Sequence, residues 1–243
     1  KRTEILLLEA KELLTRVSGD RIRHEFDRIF EEKNLAQILD RLNELTILET
    51  IHPHLIWNDS LSELMDSMPC KDTPAEWDID GDGIGVPLDM ALCYSLWLMN
   101  APVGSDVCKR LRLVGGLAKN IQQAAELRET LGDISGHLAS EVTAILTRVS
   151  NLAIYSVYLN EKDPKLKGIL SRYLSSWQHV DTNITGKHLQ DEGLAPGPRY
   201  AEILSELRNA WLDGKISSKP EEKAYFKELL QAGEKDPIMD AGK

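Results

Sequence analysis

The sequence holds no apolar run long enough to cross a bilayer: its longest, such as Leu6–Leu8, are a few residues where a spanning helix needs about 20. No initiator Met is present, and the chain starts with neither a signal-type apolar segment nor a cleavage site, which points to a fragment or processed chain. The three cysteines, Cys70, Cys93 and Cys108, make no CxxC pair and lie in or near apolar stretches, so a reduced, cytoplasmic protein without membrane attachment is expected. Strand-like alternation is missing, no glycine-rich loop follows a strand, and no Ser/His/Asp order stands out. No region is basic overall, and the net charge is −10. That disfavours indiscriminate nucleic-acid binding, which draws its strength from phosphate neutralisation, but leaves room for a local basic groove.

What the sequence does hold is helical periodicity, in 243 residues that are 42% hydrophobic and 28% charged, enough to bury a core. Helices are expected over 4–16, after Ser18 (Ile22, Phe26, Ile29, Phe30), and over a third stretch carrying Ile38, Leu39, Leu42, Leu45 and Leu48. The His52-Pro53-His54 segment breaks the pattern, and Ser60 with Glu63 suggests a capping box for a short helix ending before Pro69. After a polar, acidic loop over 70–87 come an apolar helix from 88, helices around 105–114 and 116–131, one long helix over 137–160, and another after Pro164. Near the C-terminus a short helix from about Thr185 to Glu192 meets a longer one from Pro198 to Asp213, and Ser218 with Glu221 starts a last one. Gly193 suits the left-handed position after the first of these, and Pro198 the first position of the next.

Four features invite a chemical reading. Residues 78–89, DIDGDGIGVPLD, set Asp78, Asp80, Asp82 and Asp89 at calcium-loop spacing with Gly83 sixth, although Glu is usual at the twelfth position and no partner loop exists; an acidic surface loop is the plainer reading. His52 and His54 flank a proline without acidic or Cys companions at metal spacing, which favours a structural turn. Lys109, Arg110, Arg112 and Lys119 form one basic cluster and Lys162, Lys165, Lys167 and Arg172 another, each either a solvated face or a track for phosphates. The corner Gly-Leu-Ala-Pro-Gly-Pro over 193–198, with Lys187, His188 and Arg199 beside it, reads as a rigid helix-hairpin turn or as an anion site at a helix start.

The stretch from Ile184 to Leu230 resembles the C-terminal tail of bacterial-type, class II tRNA nucleotidyltransferases, the CCA-adding or A-adding enzymes related to poly(A) polymerases. Residues 16–55, with Arg21-Ile22 and Glu25, resemble the neck that follows the catalytic head in that family. One departure is Tyr200-Ala201, where the family commonly has a small glycine. The family's Gly-Gly turn, Asp-x-Asp metal pair and Glu-Asp-x-x-Arg segment do not occur at the expected positions, and Asp78-x-Asp80 sits in a loop with no strand before it.

The resemblance implies an all-α fold, an elongated array of helices ending in a helix-turn-helix-like tail module: a neck over 1–60, a body over 61–180 with its acidic loop, and a tail over 181–243. It implies a tRNA-binding portion that positions the acceptor/TΨC half of a tRNA, with Gly186, Lys187, Gly193, Pro196, Gly197, Pro198 and Arg199 anchoring it alongside Lys109, Arg110 and Arg112. The chain alone would not be catalytic and would hold no cofactor; ATP or CTP and Mg2+ belong to a head on the same or a separate polypeptide. A helical protein-interaction or calcium-binding module is the alternative, and a helix-hairpin DNA binder a distant third.

Overall fold

The computed structural model describes residues 11–67, 74–79, 81 and 83–234. Within them there are thirteen α-helices and no strand. They are α1 (Gly19–Glu31), α2 (Leu35–Glu44), α3 (Ile47–Ile51), α4 (Asp59–Asp66), α5 (Leu88–Leu98), α6 (Val107–Arg110) and α7 (Gly115–Thr130), then α8 (Ala139–Leu146), α9 (Asn151–Asn160), α10 (Pro164–Ser175), α11 (Gly186–Asp191), α12 (Pro198–Leu212) and α13 (Lys219–Glu234). Short 3-10 turns occupy Lys11–Arg16, Ala75–Trp77, Leu131–Ile134 and Trp177–His179. The all-α expectation holds.

Several boundaries differ from the periodicity, for local reasons. The third helix is two, because Thr46 takes a left-handed conformation (φ 56°) between α2 and α3. The helix expected over 137–160 is also two: the chain leaves the helix after Leu146, and Ser150 starts α9 by accepting the Ala153 N–H on its hydroxyl. Apolar spacing runs through that break, so periodicity alone could not see it. Asn58 rather than Ser60 caps α4, accepting the Leu61 N–H at 3.0 Å. The helix expected around 105–114 is a single turn, and residues 11–16 of the first expected helix form a 3-10 turn, the rest lying outside the described residues.

Two compact units divide the chain: Lys1–Ser135 with Leu146–Leu174, and Gly136–Ile145 with Ser175–Lys243. Within the larger unit α2 and α4 pack together and α4 touches α5. The larger unit is organised around α5, whose residues from Ala91 to Leu98 are all buried, so it is buried on every side and must be surrounded. Phe26 meets Trp97 edge-on at 4.9 Å, Phe30 meets Tyr94 at 4.8 Å, and Trp57 closes on Trp97 at 6.2 Å. Polar ends are met as well: the Trp97 indole donates to the Ile56 carbonyl at 2.9 Å, and the Tyr94 hydroxyl donates to Asp27 at 2.7 Å. Burial, then that bond to Asp27, pushes the Tyr94 hydroxyl far above its ordinary pKa.

Residues 181–234 of the smaller unit build their own core from Ile184, Leu189, Ile203, Leu207 and Phe226. Asn183 is clamped there by the buried Glu222, whose carboxylate accepts both its backbone N–H and its side-chain amide at 2.8 Å. Ser140 of α8 donates its N–H and its hydroxyl to Asp213 at the end of α12, each at 2.9 Å.

Candidate nucleic-acid interface

The corner between α11 and α12 is assembled from its own sequence. Thr185 and His188 form a capping box at the start of α11, the Thr185 N–H donating to His188 Nδ1 at 3.1 Å. Gly193 then takes the expected left-handed conformation (φ 85°) and its N–H donates to the Gln190 carbonyl at 2.9 Å. Tyr200 shuts the loop: its hydroxyl donates to the Leu194 carbonyl at 2.7 Å, and its ring lies 3.7 Å from where a Cβ on Gly186 would sit. The Tyr200-Ala201 departure is therefore the residue that closes the corner, a role no spacing rule would have suggested. Pro198 occupies the first turn of α12, as expected.

The charges expected at this corner separate. Lys187 is exposed. His188 is committed to the capping box, and Arg199 is half-buried, reaching the Leu229 carbonyl at 3.4 Å and so tying α12 to α13. The first turn of α12 offers an anion little, since Pro198 has no N–H and Tyr200 gives its own to the Gly197 carbonyl at 3.0 Å. Gly193, Pro196, Gly197 and Pro198 are exposed, and Gly186 is half-covered, with the Tyr200 ring against it.

The 109–112 cluster divides in the same way. Lys109 and Arg112 are exposed, but Arg110 turns inward: Nε donates to the Ile51 carbonyl at 3.2 Å, Nη1 to Val17 at 3.1 Å and Nη2 to Leu14 at 2.9 Å. Its guanidinium satisfies carbonyls from three segments and so takes part in holding the fold. Arg112, in a left-handed conformation (φ 55°), accepts Arg23 Nη1 on its carbonyl at 3.2 Å.

The histidines gain a companion the sequence spacing did not offer, Asp106. His52 Nδ1 accepts the His54 N–H at 3.1 Å, which places the ring proton on Nε2, where it is donated to Asp106 at 2.8 Å. The His52 hydrogen bond, followed by Asp106's own backbone N–H, holds that carboxyl below its ordinary range. A cation at Nε2 would need the proton moved onto Nδ1, against the His54 N–H, so the group is built as a turn clasp. In the calcium-loop segment, Asp80 and Asp82 lie outside the described residues, Asp78 is left-handed (φ 46°), and Asp89 accepts the Met90 N–H at 2.9 Å. Cys70 also lies outside the described residues; Cys93 is buried, and burial pushes the Cys108 thiol up to about 11, far from a nucleophile's range.

Comparison with known proteins adds three findings. Residues 1–57 match the family described as the probable RNA and SrmB-binding site of polymerase A. An A-adding tRNA nucleotidyltransferase from Geobacter sulfurreducens is 22% identical over 91% of this chain and 26% of its own length. The Thermotoga maritima CCA-adding enzyme, solved in complex with tRNA, superposes with a TM-score of 0.67 at 23% identity, covering 96% of this chain and 56% of the enzyme; a CCA-adding enzyme solved with ATP superposes equally well, with 55% covered. The chain therefore spans about a quarter of that curated relative and about half of those enzymes.

Proposed function

We propose, taking as premise that this chain resembles the C-terminal region of class II tRNA nucleotidyltransferases, that it holds the acceptor/TΨC half of a tRNA while a catalytic head outside these 243 residues extends the 3′ end. The head would bring the metal and the nucleotide, ATP or CTP with Mg2+. The chain's own task is grip, through sugar–phosphate contacts and RNA shape rather than base sequence.

One observation carries the tail's part: Gly197 is a glycine the fold does not require. Its backbone is extended (φ 177°, ψ −175°), a conformation open to any residue, and a Cβ there would meet nothing nearer than the Ala195 carbonyl oxygen at 3.9 Å. In the tRNA reading, glycine at this exposed place keeps the surface flat for RNA. Pro196 and Pro198 hold that surface stiff, so little chain entropy is lost when RNA docks, and Lys187 supplies charge beside it.

Gly197→Leu should therefore leave the melting temperature unchanged while weakening tRNA binding about tenfold, which corresponds to about 1.4 kcal/mol. Fluorescence anisotropy with labelled tRNA reads the affinity and thermal denaturation reads the fold. Unchanged affinity in a variant that melts normally would remove the corner from the interface.

A further inference from the structure

We infer that a cavity in the larger unit is a phosphate-binding site whose charge comes from Lys119 and Arg148. It has a volume of about 480 Å³ and opens where the first half of α7, the 147–150 link and the start of α9 face the segment around Asp78 and Ile84. Such a space accommodates a phosphate together with part of an attached sugar.

Its walls are pinned by side chains that bond to groups far away in sequence. Gln123 holds the 147–150 link on both sides, donating to the Arg148 carbonyl at 2.9 Å and accepting the Ser150 N–H at 3.2 Å. Asn120, 3% exposed, accepts the Ser150 hydroxyl and donates to Ser95 Oγ at 2.7 Å. Asn151 reaches back to the Trp77 and Asp78 carbonyls at 3.1 and 3.3 Å. The polar lining is thus consumed in fixing the cavity's shape.

The two cations are different. Lys119 and Arg148 are exposed and come from separate elements, and neither side chain forms a hydrogen bond or ion pair among the described residues. Two unspent cationic side chains line one fixed cavity, where Asp78 is the one acidic residue among the described lining residues, in a chain of net charge −10. The first turns of α7 and α9 add the positive ends of their dipoles, Gly116 and Asn151 both lining the space. A phosphate meets that arrangement with charge and with acceptor oxygens for both heads. The group could be a phosphodiester of RNA or the phosphate of a free nucleotide; the RNA source rests on the tRNA reading above.

The full chain carrying Lys119→Glu and Arg148→Glu together tests this, with thermal denaturation as the check on folding. If RNA is the source, tRNA affinity falls at least about tenfold and the slope of log affinity against log salt becomes shallower by about 2, one counterion per cation removed. If a nucleotide is the source, calorimetric titration shows ATP binding in the parent that the variant loses. A folded variant that binds both tRNA and ATP as the parent does overturns the site, even where Gly197→Leu still weakens tRNA. A parent that binds no tRNA defeats the tRNA reading instead, and the cavity then stands or falls on ATP alone.

Discussion

Arg110→Ala should destabilise the larger unit by about 3 kcal/mol, a shift of roughly 1–2 M in its urea midpoint, although sequence reading places Arg110 among the phosphate contacts. The three carbonyls it serves close the 3-10 turn at Leu14, the approach to α1 at Val17 and the end of α3 at Ile51. Without the guanidinium they must find water at a half-buried seam. Arg110→Lys should recover little, because one ammonium cannot span the positions that a planar fork reaches from three nitrogens. The seam is tight for a second reason: a Cβ on Gly19 would lie 2.1 Å from the Arg110 carbonyl oxygen, so α1 can begin there only with glycine. A midpoint within about 0.3 M of the parent would contradict this role, and tRNA binding lost at full stability would return Arg110 to the interface.

Gly116→Ala is the second large effect, with a loss of about 2–3 kcal/mol expected. The new methyl would stand 2.1 Å from the Gly83 carbonyl oxygen and 2.8 Å from its carbon, both main-chain atoms, so the 83–84 segment has to move off α7. Gly168→Ala provides a contrast of opposite sign. That position lies inside α10 with nothing within 4 Å of an added Cβ, and alanine there should stabilise by about 0.5–1 kcal/mol through helix propensity. Chemical denaturation of the pair separates close packing from propensity. Equal midpoints for the two variants would mean that the 83–84 segment does not press on α7.

Much of the fold is legible because amphipathic helices write their period into the sequence, and the tail corner announces itself through Gly193 and Pro198. The misses share a cause. Thr46 and the 147–150 link break helices inside stretches whose apolar residues continue on both sides, and α9 is buried nearly all round, so no polar face marks where it begins. Arg110 looks like a surface charge because the carbonyls it serves lie 59 to 96 residues away. Asp106 joins His52 across 54 residues, and Gln123 meets Arg148 across 25. No local spacing encodes such pairs, so Lys119 reads only as a member of a basic cluster and Arg148 does not stand out at all.

The most direct test of tRNA recognition is the affinity of the 243-residue chain for a tRNA compared with a duplex DNA of similar length, at the same near-physiological salt. An RNA-shape reader should favour tRNA at least about tenfold, since the A-form minor groove and its 2′-hydroxyls are absent from B-DNA. Equal affinity for the two, or duplex DNA outcompeting tRNA, would contradict the account.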